Sequence, residues 1–179
     1  MKLNTAFREL NLNQAMNNAF TTVLLSLGSN IGDKRFNIEN AAELLQKAEI
    51  LLDIKLSSLY LTEPLGVRNQ PTFLNAALIG KTEFEPCVLL EFCKTLEYFH
   101  NRKKKERWAA RELDIDIIFF GDCVKKEKVI EIPHPRMHER RFVLVPAAEI
   151  APNLIHPIYK KSIKKMLQEC KDHSFVIAQ

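Results

Sequence analysis

Two periods of apolar residues alternate along the chain, and together they predict a domain of mixed strands and helices. The run TTVLLSL from Thr21 to Leu27 is β-branched and aliphatic almost throughout, as in a buried strand, and Gly28-Ser29-Asn30-Ile31-Gly32 turns it toward a helix. With Asp33 as N-cap, Ile38, Ala41, Ala42, Leu45 and Ala48 recur at helical spacing and predict an amphipathic helix from Lys34 to Ala48. A second strand is expected over Ile54 to Leu61, then a loop from Thr62 to Pro71. The run FLNAALIG from Phe73 to Gly80 reads as a strand with Phe73, Asn75 and Ala77 on one face and Leu74, Ala76 and Leu78 on the other. Pro86 opens a helix to about Phe99, whose buried stripe is Val88 or Leu89, Phe92, Cys93, Leu96 and Phe99. A strand from Leu113 to Phe120 ends at Gly121-Asp122, with Leu113, Ile115, Ile117 and Phe119 expected on the core side. A short strand near Lys128 to Ile132, a loop over Ala147 to Leu154 and a last helix from Ser162 to Lys171 complete the pattern. Residues 1–20, polar and rich in asparagine, read as an N-terminal extension, and residues 21–179 as a single α+β domain.

Composition narrows the class without naming a chemistry. The 179 residues suffice for one core of their own, and the 46% apolar content includes no run near the roughly 18 residues of a membrane span. The first 20 residues lack the charged start, apolar middle and small-residue cleavage site of a secretion signal, so export is not expected. Cys87, Cys93, Cys123 and Cys170 form no C-x-x-C pair and read as reduced thiols of a cytoplasmic protein. The net charge of +4 is modest, and much of it sits just before Trp108, where it favours a small anionic ligand at least as much as nucleic acid.

The candidate chemistry lies in that region. Asp114 and Asp116 share one strand face, where two carboxylates repel each other and resist desolvation unless a cation joins them. Arg102, Lys103, Lys104, Lys105, Arg107 and Arg111 precede them, ready to meet an anion arriving with a metal. Paired acids for magnesium beside cations for phosphate oxygens are what a nucleoside-triphosphate site requires without a P-loop. Neither G-x-x-x-x-G-K-[ST] nor G-x-G-x-x-G follows the first strand. The plainer alternative is a solvated edge strand after an exposed basic loop. Asn75, unusual in so apolar a strand, is either an amide bonded to nearby backbone or a reader of a flat heterocycle stacked on Phe73. His134 and His138 have the spacing of a helical metal pair, but Pro133 and Pro135 oppose a helix and no HExxH pattern is present. A nucleic-acid-binding module would use the basic loop, Trp108 and Phe73, yet an uncompensated acid pair would repel its phosphates; a two-metal nuclease evades that objection.

Five stretches taken together resemble the 6-hydroxymethyl-7,8-dihydropterin pyrophosphokinase family of folate biosynthesis: LSLGSNIGD at 25–33, TEPLG at 62–66, QPTFLNAAL at 70–78, RWAARELDIDI at 107–117 and PHPRMHERRFVLVP at 133–146. The resemblance implies a ferredoxin-like αβα sandwich with a mainly antiparallel sheet. It implies transfer of the β,γ-diphosphate of ATP to the pterin hydroxymethyl oxygen with release of AMP, the partners being these small molecules rather than nucleic acid or membrane. Asp114 and Asp116 would hold two magnesium ions (Mg2+). Thr62, Leu65 and Asn75 would read the pterin edges, and Phe73 and Phe142 would sandwich its ring. Glu97, His134 and Arg140 would surround ATP, while Arg102, Lys104, Arg107, Trp108 and Arg111 would belong to a catalytic loop in which Arg102 and Arg111 act on the phosphates. Many members carry Gly-Pro where this chain has Ala109-Ala110, so the closure geometry of that loop does not carry over directly.

Overall fold

The computed structural model describes residues 16–64, 70–100 and 111–179. Eight strands, β1 (Met16–Ser29), β2 (Leu52–Leu56), β3 (Tyr60–Thr62), β4 (Phe73–Phe84), β5 (Asp114–Phe120), β6 (Lys125–Lys126), β7 (Glu131–Ile132) and β8 (Val176–Ala178), lie among these residues. With them are four helices, α1 (Lys34–Lys47), α2 (Pro86–Phe99), α3 (Arg141–Ile150) and α4 (Ile163–Glu169), and a 3-10 turn at Met137–Glu139. The main sheet runs β5-β1-β4-β3-β8, with β2 also bonded to β4. Each of these pairings is antiparallel. The result is a ferredoxin-like αβα sandwich with a mainly antiparallel sheet.

The period-two alternation of β1 divides the molecule into two cores. Val23, Leu25 and Leu27 point to the face covered by α1 and α2, among Ile38, Leu45, Leu89, Phe92 and Ile115. Leu24 points to the opposite face, which Val143, Leu144 and Ala147 of α3 and Ile163 and Met166 of α4 cover together with Ala77 and Ile118. Burying a strand on both sides of a sheet demands the uninterrupted apolar run that its sequence carries. α1 begins where expected, its Asp33 carboxylate accepting the Phe36 N–H at 3.0 Å.

Several boundaries differ from the sequence reading, each for a local reason. β1 starts at Met16 rather than Thr21 because β4 runs on to Phe84 and offers a partner for the earlier residues. The single strand expected from Ile54 to Leu61 is split into β2 and β3 at buried Ser57, whose hydroxyl accepts the Ala77 N–H at 2.9 Å in place of a strand carbonyl. In β5, Leu24 pairs with Phe119 and Leu25 with Ile117, so Ile118 is an extra residue. That bulge turns Phe119 into the core beneath α3 instead of the side of Ile115 and Ile117. The loop expected over Ala147 to Leu154 is entered by α3, which runs through Pro146 as far as Ile150 and buries Val143, Leu144 and Ala147. Ser162 caps α4, which ends at Glu169, two residues short of the expected helix. No helix among the described residues is long and apolar enough to cross a membrane.

His156 closes the second core. Only 2% exposed, it packs edge-on against Phe119 at 5.2 Å, and its Nδ1 accepts the Ile158 and Tyr159 N–H groups. Burial, aided by His138, holds its pKa down to about 4 from 6.5. The imidazole is therefore neutral in the folded protein at pH 7. As pH falls through 6.5 the unfolded chain takes up a proton that the folded protein refuses until about pH 4. Stability should decline across that window by at most about 3 kcal/mol. His156→Asn, which keeps an acceptor near Nδ1 but cannot titrate, should flatten this part of the curve in urea unfolding series. Parallel curves for the two proteins would remove His156 as the cause.

Candidate active site

Where the second face of the sheet runs beyond the cover of α3, polar groups replace the core. The register sets them in rows. Gly28 of β1 lies between Asp114 of β5 and Asn75 of β4, and Ser26 lies between Asp116 and Ala77. Tyr60 extends the first row beyond Asn75, and Thr62 pairs with Phe73. Residues directly opposite in an antiparallel pair share a face. Asp114, Asp116, Asn75, Phe73 and Thr62 are therefore brought to one face, with the acids and the amide two strands, roughly 10 Å, apart.

Gly28 keeps the ground between them open. A Cβ at this position would stand 2.9 Å from Asn75 Oδ1 and 3.8 Å from the Phe73 ring. Asn75 is buried, and its Nδ2 donates to Thr62 Oγ1 at 2.7 Å. Its amide thus bonds a neighbouring side chain, not nearby backbone as the plainer sequence reading had it.

Each acid has a guanidinium beside it. Arg111 donates to Asp114 Oδ2 at 2.6 Å, with both side chains about one-quarter exposed. Arg140 Nη1 lies 3.8 Å from Asp116 Oδ2, and Asp116 is 38% exposed. These arginines relieve the repulsion of two carboxylates on one face. Arg140 also approaches His134 Nε2 at 3.3 Å, and its Nε is buried with no hydrogen-bond partner among the described residues. Burial lowers the pKa of both His134 and Arg140, with Asp116 opposing the shift in each. A neutral His134 is compatible with the guanidinium at its side. The His134 N–H is fixed by the Ile118 carbonyl at 3.0 Å, which ties this segment to the bulge in β5. Phe142, in the first turn of α3, packs at the margin of the second core, with the Arg140 guanidinium 5.8 Å from its ring centroid.

Glu97 reaches β5 from α2. Almost wholly buried, it accepts the Ile115 N–H at 2.9 Å and pairs with Lys94 at 2.8 Å. The bond falls between the two acids and fixes the stretch of β5 that presents them. Leu65, Arg102, Lys104, Arg107 and Trp108 lie outside the described residues, as do Lys103, Lys105 and Ala109-Ala110.

Asn30 escaped the sequence reading. Buried just after β1, it donates its backbone N–H to the Arg111 carbonyl at 3.0 Å and accepts the Arg111 N–H on Oδ1 at 2.6 Å. Its Nδ2 reaches Gln70 Oε1 at 3.3 Å. One side chain thereby joins the segment leading into β5 to the segment leading into β4. The only sequence signal was an amide immediately after a buried strand.

Comparison with known proteins gives a consistent family. The sequence model of the family described as 7,8-dihydro-6-hydroxymethylpterin-pyrophosphokinase (HPPK) matches residues 24–152. A 2-amino-4-hydroxy-6-hydroxymethyldihydropteridine pyrophosphokinase from Aquifex aeolicus is 41% identical over 149 residues, covering 83% of this chain and 91% of that protein. The protein of the same description from Bacillus subtilis is 42% identical over 127 residues, covering 70% of this chain and 75% of its own. The folic acid synthesis protein fol1 of Schizosaccharomyces pombe is 38% identical across 81% of this chain, which spans only 20% of that longer protein. Among solved structures, wild-type Plasmodium falciparum HPPK-DHPS shares the fold with a TM-score of 0.64 at 17% identity, covering 84% of this chain and 45% of its own.

Replacing Asn30 by Ala should strand the Arg111 N–H. The expected loss is about 1–3 kcal/mol of stability, the cost of leaving a partly buried donor unsatisfied. Urea unfolding checks this; a change within about 0.5 kcal/mol, as for an ordinary surface substitution, would show that the bonds of Asn30 are dispensable.

Proposed function

The chain belongs to the 7,8-dihydro-6-hydroxymethylpterin-pyrophosphokinase family, and from that membership we propose that it transfers the diphosphate of ATP to 6-hydroxymethyl-7,8-dihydropterin, releasing AMP, in folate biosynthesis. The observation that carries this reading beyond family membership is the row Asp114–Gly28–Asn75, which sets an acid pair and a buried amide on one open sheet face. In the reaction the hydroxymethyl oxygen forms a bond to the β-phosphorus of ATP. The bond from that phosphorus to the oxygen shared with the α-phosphate breaks, its electrons leave with AMP, and the hydroxyl proton is released.

Asn75 and Thr62 form one hydrogen-bonded pair, suited to the donor and acceptor edges of a pterin, and Leu65 is assigned to the same edges on the family motif. Phe73 and Phe142 supply aromatic faces for its ring. Asp114 and Asp116 would hold magnesium. Two accessible carboxylates completed by phosphate oxygens make the donor set that this ion prefers, and among the described residues no third His, Cys, Asp or Glu joins them. Magnesium, when bound, would neutralise triphosphate charge. Arg111 and Arg140 already stand beside the acids and would pass to phosphate oxygens as those arrive. The Nε of Arg140, which has no hydrogen-bond partner among the described residues, and the neighbouring His134 favour an anionic ligand there. Arg102, Lys104, Arg107 and Trp108 are assigned to the ATP side on the family motif, with Arg102 and Arg111 acting on the transferring group. Glu97 acts by holding β5. Four free cysteines, Cys87, Cys93, Cys123 and Cys170, support a reducing compartment, the cytoplasm.

The direct test combines the protein, ATP, magnesium and reduced hydroxymethylpterin. AMP and the pterin diphosphate should appear in equal amounts; ADP as the nucleotide product would refute the reaction. In the same assay Asp114→Asn and Asp116→Asn should each lower turnover by about a hundredfold or more while unfolding at a temperature near that of the parent, because charge neutralisation supplies much of phosphoryl-transfer catalysis. Near-parental turnover in either variant would remove that acid from the metal site. Asn75→Ala should weaken pterin binding by roughly 1–3 kcal/mol and leave ATP binding nearly unchanged, measured by calorimetry. Equal weakening of both ligands would contradict the assignment.

A further inference from the structure

Beyond the stretch matched by the family, the chain returns to the site. The helix α3, which carries Phe142 and follows directly on Arg140, has no cap of its own, since the Arg140 side chain makes no capping bond. Its first N–H, that of Arg141, is taken instead by Asp172 Oδ2 at 2.9 Å, a residue 31 positions later. The other oxygen of Asp172 accepts the Ser174 N–H at 2.9 Å and the Ser174 hydroxyl at 2.6 Å, so the carboxylate is held from both sides. The following Phe175 donates its N–H to Glu63 Oε1 at 3.2 Å. β8 then pairs with β3, setting Val176 against Thr62, Ile177 against Leu61 and Ala178 against Tyr60. Last, the Gln179 N–H bonds the Leu59 carbonyl at 2.9 Å.

One short segment is therefore anchored at one end to the start of α3 and along the rest to β3. Those are the elements of Phe142 and of Thr62, and Thr62 holds the amide of Asn75. A helix N-terminus without its cap frays over the first turn, where Phe142 sits, while buried Val143, Leu144 and Ala147 keep the remainder in place. We propose that residues 172–179 form a positioning strap that sets the separation of the Phe142 side and the Thr62–Asn75 side of the pterin cleft. Pterin affinity then depends on residues that do not contact the pterin. The inference rests on the assignment of Phe142, Thr62 and Asn75 to the pterin made above.

The test is a titration of the full-length protein with 6-hydroxymethylpterin in the presence of magnesium and a carbon-bridged ATP analogue, at a temperature where thermal unfolding shows each variant folded. Asp172→Ala should raise the pterin Kd about fivefold, as for loss of one helix cap. Asp172→Asn, which can still cap, should stay within about twofold of the parent. Phe175→Pro keeps the cap but deletes the N–H held by Glu63; it should raise the pterin Kd and leave that of the ATP analogue unchanged. If Asp172→Ala proves too unstable to titrate, Phe175→Pro decides. Parental pterin affinity in the folded variants, or equal loss of both ligands in Phe175→Pro, overturns the strap while leaving the functional reading intact. Failure of the parent protein to bind pterin overturns both.

Discussion

The missing side chain of Gly28 is the constraint on which the geometry of the site depends. β1 is bonded on both sides, to β5 and to β4, so whatever projects from it stands between the acids of one neighbour and the amide of the other. At Ser26 a small hydroxyl occupies this line; at Gly28 nothing does, and a methyl group there would meet Asn75 Oδ1 at 2.9 Å. A continuous polar floor from Asp114 to Asn75 follows from that one omission. Two substrates between which a group must pass can then lie over β5 and β4 with no side chain of β1 rising between them at Gly28. Holding the reactants side by side is itself a large part of catalysis for a group transfer.

Around that floor, charge is arranged by supports that reach in from outside the sheet. Glu97 fixes the backbone of β5 between the two acids, and Asn30 fixes the backbone of Arg111, whose guanidinium meets Asp114. On the far acid, Arg140 comes from the start of α3, the same helix whose apolar stripe covers the second core. The helix that completes the fold thus also delivers the cation for Asp116. On the proposed assignment, disturbing α3 should consequently be felt in the binding of both ATP and pterin, whereas disturbing β3 should be felt in pterin binding alone.

Much of this was legible in the sequence wherever a local rule operates. The shared face of Asp114 and Asp116, and that of Phe73 and Asn75, follow from period-two alternation in strands that are regular at those points. The same rule failed for Phe119, because the bulge at Ile118 shifts the alternation by one and no residue type announces it. α3 crosses Pro146 into the stretch expected as a loop, because the local cost of that proline is outweighed by burial that only the tertiary structure supplies. Asn30 and Asp172 were illegible for a different reason: their partners lie 81 and 31 residues away, and neither residue type nor spacing encodes a bond of that range. The resemblance of motifs supplied the family and the chemistry, but the supports of the site became visible only with the chain folded.

The most direct measurement of the central claim is ligand binding to Gly28→Ala. The backbone there lies within a regular strand, so the variant should fold and bind a carbon-bridged ATP analogue with magnesium within about twofold of the parent, the atoms nearest the added methyl belonging to Asn75 and Phe73 and not to the acids. The added methyl displaces the Asn75 amide, and pterin affinity should fall by at least about tenfold, as for loss of a buried hydrogen-bonding group. A folded Gly28→Ala protein that binds pterin as tightly as the parent would show that the open floor between Asp114 and Asn75 is not what the site depends on.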